Sequence, residues 1–254
     1  MSIKTAERNS GILPEDNVIH HRHLIAYHEA LKLITGNVLE IGSGEGYGIR
    51  ILAPDAETYT AVDKHETPHD KNEPNIRFTQ MNVPPLSGLA DESFDLVVTF
   101  QVIEHIKDDT YFLQEIMRVL KPKGLLILTT PNINMSLTRN PWHIREYTLN
   151  EMTKLVSNFS TCFDIKGVFG NEKVMAYYEE NRRSVKKFTR FDIFRLQYIL
   201  PRKLLQIPYD LANRMNRNKL MKKNTTLVEK VLTSDFFIDT ANDRCFDFFV
   251  IAQK

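Results

Sequence analysis

Apolar positions along this chain fall into two rhythms. Seven short apolar or alternating runs, Val38–Ile41, Tyr59–Val62, Ile76–Thr79, Phe94–Phe100, Leu125–Thr129, Cys162–Val168 and Phe246–Ala252, have the length of sheet strands. Between several of them the period becomes helical. Leu24, Tyr27, Leu31 and Ile34 share one face of a helix expected over His23–Ile34. A second helix is expected from Asp109 to Leu120, stopped by a turn at Lys121-Pro122-Lys123-Gly124, and a third from its cap at Thr148 to Phe159. Ile49, Ile51 and Leu52 fit a further helix directly after a glycine-rich turn. The polar, proline-broken stretch His65–Pro74 leaves room for a short helix at most. Strands alternating with helices predict an α/β fold, doubly wound about a mostly parallel sheet by right-handed crossovers.

More than seventy residues separate the run ending at Val168 from the one beginning at Phe246, far beyond an ordinary connection. Phe188, Phe191, Phe194 and Tyr198 recur at roughly helical spacing, Pro201 is placed to start a helix through Leu204-Leu205, and Pro208 another through Leu211 and Met215. The expected organisation is an N-terminal helical segment (1–36), a core (37–170), a helical insertion (171–235) and a final core strand (236–254).

Charge sharpens this picture. The chain carries +1 overall, yet residues 182–223 hold thirteen Lys/Arg against two acids, Asp192 and Asp210, so a local +11 is balanced by −10 elsewhere. Such asymmetry fits either a surface for an anionic partner or a solvated helical face. The insertion therefore has three candidate roles: capping an active-site mouth, dimerising, or lying on an anionic membrane surface. Nucleic acid is not an expected partner, because no RNA-recognition module accompanies the basic residues. The N-terminus lacks an apolar signal region and no apolar run approaches a spanning length, so the expected location is cytoplasmic, or peripheral at a membrane through 182–223. Two cysteines, Cys162 and Cys245, are too few for a disulfide framework and read as buried small hydrophobes in a reducing compartment.

Candidate chemistry begins at Val38-Leu39-Glu40-Ile41-Gly42-Ser43-Gly44-Glu45-Gly46-Tyr47-Gly48. Glycines at alternating positions after a strand let the backbone approach a ligand closely. A dinucleotide fingerprint is excluded because its third glycine would fall on Tyr47. The E-x-G-x-G-x-G spacing instead resembles motif I of class I S-adenosylmethionine (SAM) methyltransferases, of the type 11/23-like kind. Asp95–Ile106 is similar to that family's motif IV and its extension, and Leu120-Lys121-Pro122-Lys123-Gly124-Leu125-Leu126-Ile127 to its "L-K-P-G-G" turn. The resemblance spans about residues 37–170 and the last strand. It implies a seven-stranded Rossmann-like sheet whose last strand is antiparallel beside the fifth, and SAM as methyl donor. Asp63, at the end of the second strand, would accept both ribose hydroxyls, since a carboxylate takes two donors. Gly42, Ser43, Gly44 and Gly46 would run along the amino-acid portion of SAM, and Glu40 would reach its ammonium directly or through water. Asn82, with Val83 beside it, stands where the family usually has an aspartate on the adenine amine. Gln101 lies where backbone contacts to the methionine part are made.

Two further segments are sharper together than apart. Gln101-Val102-Ile103-Glu104-His105 ends the fourth strand, and Asn140-Pro141-Trp142-His143-Ile144-Arg145-Glu146-Tyr147-Thr148 follows the fifth. The pairing resembles metal-dependent O-methyltransferases of the small-RNA 3′-terminal and ubiquinone-biosynthesis types. Matching positions are Gln101, Glu104, His105 and His143. There a divalent metal would lower the pKa of an acceptor hydroxyl. Gln101 replaces one carboxylate of the family's set, which moves the preference from Mg²⁺ toward a transition metal. A metal-free role keeps His105 or His143 as a general base, and a purely structural role has both shaping loops. Trp142, Arg145 and Tyr147 in the same loop fit a pocket wall or an anchor. The resemblance also favours capping for the insertion, since C-terminal extensions lie near the acceptor pocket in many members. The expected activity is in-line O-methylation of a hydroxylated small molecule, or of a glycan or lipid-linked intermediate. RNA 2′-O-methylation and a non-catalytic SAM-fold binding protein are the alternatives.

Overall fold

The computed structural model describes residues 13–68, 73–190, 196–223 and 228–254. Its elements follow as α1 (Asn17–Leu31), β1 (Asn37–Ile41), α2 (Tyr47–Ile51), β2 (Thr58–Asp63), β3 (Ile76–Gln80), β4 (Phe94–Phe100), α3 (Asp109–Val119), β5 (Leu120–Pro131), α4 (Leu149–Ser157), β6 (Cys162–Gly170), α5 (Glu172–Thr189), α6 (Leu196–Ile199), α7 (Arg202–Lys223), β7 (Phe236–Thr240) and β8 (Asp247–Gln253).

One sheet runs in the order β3-β2-β1-β4-β5-β8-β6-β7. The first five strands are mutually parallel, and β8 is antiparallel to both β5 and β6. This is the doubly wound, mostly parallel sheet with an inserted antiparallel last strand that the sequence predicts, with eight strands rather than seven. The addition is β7, antiparallel on the outer edge of β6. Its burial alternates, and Phe237 stays largely exposed while stacking on Phe169 at 5.7 Å. The segment 236–254 is therefore two strands flanking β6, joined by residues 241–246. That connection passes over Gly167, where an added β-carbon would stand 2.4 Å from Cys245 Cβ. Cys245 is buried under the crossing as expected, whereas Cys162, the first residue of β6, is exposed.

Both faces of the sheet are covered, as the near-continuous apolar runs require. One face packs Tyr27 and Ala30 of α1, Ile49 of α2, and Val174, Tyr177 and Leu220 of the insertion. The other packs Phe112, Leu113 and Ile116 of α3 with Met152 and Val156 of α4. Thr148 caps α4 in a reciprocal capping box with Glu151. Helix α1 starts six residues earlier than the apolar period marks, at Asn17. Lys121–Gly124, expected as a turn, is drawn into β5 as an irregular start, with Lys123 at φ 66° and its N–H donated to the Lys254 carbonyl.

The insertion is helical, but its pieces differ from those expected. Phe191 and Phe194 lie outside the described residues. Pro201 precedes α7, and Pro208 lies inside that helix rather than starting another. Proline has no N–H for the Leu204 carbonyl one turn earlier; Leu204 is exposed, so water can serve that carbonyl. The helix is held instead by its inward face, where Asn216 donates to Asn181 of α5 at 2.7 Å and Leu220 is buried. No described helix is long and apolar enough to cross a membrane.

Candidate active site

The glycine turn joins β1 to α2, and Gly42, Gly44 and Gly46 all have positive φ (83°, 48° and 74°). At Gly44 an added β-carbon would meet nothing nearer than 3.9 Å, so open space faces the turn there, as a ligand cradle requires. Asp63 ends β2 and closes on the turn: Gly44 N–H donates to one carboxylate oxygen at 2.9 Å and His65 N–H to the other at 2.8 Å. Each oxygen keeps acceptor capacity for a ribose hydroxyl, so this arrangement fits the cofactor. Ser43 is buried, with its hydroxyl 2.8 Å from that of Thr67. Asn82 is exposed just past the end of β3, and the half-buried Val83 packs against the core.

Glu40 is placed differently from the expectation. Its carboxylate lies beneath the turn, fully buried, with one oxygen accepting from Tyr27 and the other from Tyr59, each at 2.9 Å. Burial pushes its pKa up to about 7, against the pull of the two hydroxyls. Glu40 thus braces β1, β2 and α1 under the glycines.

Glu104, His105 and His143 do converge. One potential ligand atom from each lies within 4.8 Å of the others, and the two imidazoles sit 5.0 Å apart. Glu104 and His105 form a single 3-10 turn just after β4. The Glu104 carbonyl accepts the N–H groups of Ile144 and Arg145, which splices the loop after β5 onto that turn. The Glu104 carboxylate is buried and accepts from Thr130 Oγ1 at 3.1 Å. His105 Nδ1 lies 3.1 Å from the Trp142 carbonyl, which fixes that nitrogen as a donor. His143 Nδ1 meets Glu146 Oε1 at 2.6 Å, and its Nε2 meets Asn140 Nδ2 at 2.8 Å.

Sequence reasoning missed the roles of Asn140 and Glu146; the available signal was the i, i+3 spacing from His143 to each. It also missed Asp247. This first residue of β8 is buried beside Arg22 at 3.1 Å; burial raises its pKa, and the guanidinium opposes that rise. Gln101, at φ 58°, donates to Thr129 Oγ1 at 3.3 Å. Its side chain is thus held on the β5 side of the site.

Gln101, Glu104, His105, Asn140, His143 and Glu146 line one wall of a cavity of about 240 Å³. Another wall is α1, through Ile19, Arg22 and His23; α5 and α7 add Tyr178, Asn181, Tyr209 and Asn213. The roof is tied down. Trp142 Nε1 donates to Asp210 at 3.0 Å, Arg202 to the Ile144 carbonyl at 2.5 Å, and Tyr178 to the Met135 carbonyl at 3.0 Å. Trp142 is thus an anchor between loop and roof. Arg145 and Tyr147 both bond to Asp109 of α3 and serve as anchors too.

Residues 39–128 match the family model described as a methyltransferase domain. The chain is 40% identical over 161 residues to a probable S-adenosylmethionine-dependent methyltransferase of Mycobacterium tuberculosis, covering 60% of this chain and 58% of that protein. It therefore spans less than two thirds of that relative's length. A probable S-adenosylmethionine-dependent methyltransferase of Mycolicibacterium smegmatis is 36% identical over 175 residues, 65% of this chain and 67% of that protein. A ubiquinone biosynthesis O-methyltransferase of Pseudomonas fluorescens is 27% identical over 113 residues, 42% of this chain and 49% of that one. Among solved structures, a SAM-dependent methyltransferase from Archaeoglobus fulgidus shares the fold with a TM-score of 0.53 at 15% identity, covering 98% of this chain and 97% of its own. With the glycine spacing, the strand order and these relatives in agreement, the chain belongs to the class I SAM-dependent methyltransferases.

Proposed function

We propose that this chain is an O-methyltransferase that transfers the methyl group of SAM to a hydroxyl of a small-molecule or glycan acceptor, free or lipid-linked, held under the insertion helices. The observation that carries this reading is the convergence of Glu104, His105 and His143 on a roofed cavity at the C-terminal ends of β4 and β5. Ligands of such sheets bind at those ends. The SAM sulfonium is already an activated donor, so the protein's task is to align the acceptor in line and keep water out. A hydroxyl acceptor needs its proton removed as well. The oxygen acceptor draws support from the likeness to the ubiquinone-biosynthesis enzyme.

One carboxylate and two imidazoles fit a divalent transition ion better than Mg²⁺. When bound, such an ion lowers the pKa of a hydroxyl on it. His105 and His143 are each oriented through Nδ1, by the Trp142 carbonyl and by Glu146 respectively, an arrangement usual for metal-ligating histidines. One observation favours a metal-free reading: Asn140 occupies His143 Nε2, which assigns proton acceptance to His105.

The test is a cobalt(II) titration read by visible absorption, combined with SAM-dependent methylation of hydroxylated acceptors with and without chelator. For a bound ion, His105→Ala and His143→Ala each erase the cobalt spectrum, and chelator stops turnover. For the general-base reading, turnover survives chelator and falls with His105→Ala. Turnover unmoved by chelator and by both substitutions defeats the assignment of this site. Methylation of RNA in preference to small acceptors replaces the substrate class, and SAM binding without turnover on any acceptor favours a binding protein.

A further inference from the structure

Helix α7 has two faces of different character. Its inward face carries Tyr209, Asn213 and Arg217, which line the cavity, and the buried Asn216 and Leu220. Its outward face carries Leu204, Ile207, Leu211 and Met215, exposed at 65%, 78%, 61% and 57%. These positions follow one another at three- and four-residue intervals, so they form one stripe along the helix. Tyr198 and Ile199 of α6, just before it, are exposed at 59% and 71%. Six of the eleven large apolar side chains exposed among the described residues thus lie within eighteen consecutive positions. Scattered exposed leucines need no explanation, but a continuous stripe of this kind marks a surface that meets something apolar.

The charges around the stripe select the occupant. Exposed residues of α7 include Lys203, Arg214, Lys219 and Lys222 and no acid, while Lys223 pairs with Glu180 of α5 at 3.4 Å. Asp210, the one carboxylate of α7, is turned inward and accepts from Trp142 Nε1. A symmetric pairing of two copies through this face would set like charges against each other. A nucleic acid would satisfy the cations but leave the apolar stripe in water. An anionic lipid surface satisfies both, because the apolar face enters the headgroup–acyl boundary while the lysines and arginines meet the headgroups.

We infer that α6 and the outward face of α7 form a docking surface for an anionic lipid bilayer, which the protein binds peripherally. No spanning helix is required, and none is present among the described residues. The inference is independent of which acceptor is methylated, because it concerns the face opposite the cavity.

The test is co-sedimentation of the full chain with vesicles of phosphatidylcholine alone and of phosphatidylcholine mixed with phosphatidylglycerol, at low and high salt. Binding to the anionic vesicles should exceed binding to the neutral ones by at least about tenfold and fall with salt. Ile207→Glu with Leu211→Glu should abolish it while leaving melting temperature and SAM affinity unchanged, since both side chains are exposed. A charge variant, Arg214→Gln with Lys219→Gln, should weaken binding to anionic vesicles and leave the weak binding to neutral ones unaltered. Equal binding to both vesicle types, no binding to either, or binding unchanged by the double glutamate variant would overturn the inference. So would a dimer in light scattering that the same variant dissolves, because the stripe would then be an interface between copies.

Discussion

Gly48 lies directly against Glu40: an added β-carbon at Gly48 would stand 2.3 Å from Glu40 Oε1 and 2.4 Å from the Tyr59 hydroxyl. Gly48, two residues past the last glycine of the motif, is therefore set by packing on a buried acid. Gly48→Ala should destabilise the fold by about 1–3 kcal/mol, as overpacking does, with the loss seen as a lower melting temperature. Adding Glu40→Ala should make the combined loss smaller than the sum of the single ones, because one of the two clashing groups is gone and the Tyr59 hydroxyl gains room to move away. Strict additivity in denaturant titrations would show that the two residues do not bear on each other.

Glu40 also gives stability a dependence on pH. Its carboxyl is raised by burial from 4.5 to about 7, so the folded state holds the proton more tightly than the unfolded chain. For a raised carboxyl, the contribution is most favourable below about pH 4.5 and is lost as pH rises through 7. The loss amounts to roughly 3 kcal/mol at most. Glu40→Gln keeps the shape without the titration, so its stability should vary less across that window than the wild type's. Parallel curves for the two proteins in urea titrations at several pH values would place the titrating group elsewhere.

Asp63 accepts hydrogen bonds from the backbone N–H groups of Gly44 and His65. If it also takes the ribose hydroxyls, Asp63→Ala should weaken SAM by about 1.5–3 kcal/mol, the scale of losing hydrogen bonds to a charged acceptor. Part of that loss would come from a loosened glycine turn. Asp63→Asn, which keeps one acceptor oxygen, should therefore fall between the two in titration calorimetry.

Much of the sheet was legible because buried parallel strands need apolar residues on both faces, and β1, β2, β4 and the apolar stretch of β5 supply them almost without interruption. β7 was not legible as a separate strand: its apolar run is only Phe236-Phe237-Ile238 before Asp239 and Thr240, too short to stand out, and at the sheet edge only Phe236 of these residues is buried. Nor was a helix across Pro208, since local propensity opposes it and tertiary contacts of α7 with α5, with Asp16 and with the loop after β5 support it. Glu104, His105 and His143 could be grouped from sequence because both their segments leave the C-terminal ends of adjacent strands. The burial of Glu40 could not, because it depends on Tyr27 and Tyr59, which only the folded chain brings to it.

Gln101 and Asp247 give a prediction of opposite sign to simple charge restoration. A carboxylate at 101 would complete a metal-like set, but it would also bring a second acid to the side of the site that holds the buried Asp247, whose pKa burial already raises. Gln101→Glu should therefore destabilise the protein by about 1–3 kcal/mol, through loss of the amide donor to Thr129 and a second charge beside Asp247. Asp247→Asn in the same chain should restore part of the loss. Thermal melts of the single and double variants decide it, and a Gln101→Glu protein as stable as the wild type would return Gln101 to the role of a missing ligand.

The two ring nitrogens of His143 should respond in opposite directions to their neighbours. Glu146 accepts from Nδ1 at 2.6 Å and is itself bonded by Ser136, so it holds the ring's orientation and its tautomer. Asn140 sits on Nε2 at 2.8 Å, the nitrogen that would have to face a metal or an acceptor proton. Glu146→Gln removes the charge that makes the imidazole a stronger donor to a metal. It should weaken cobalt(II) binding by about 10–100-fold, the range for groups that orient metal ligands. Asn140→Ala removes a competitor for Nε2 and should leave cobalt affinity equal or tighter. If both substitutions weaken binding alike, the loop is collapsing as a whole. If neither moves it while turnover falls, His143 works by position or proton transfer, and the site runs without an ion.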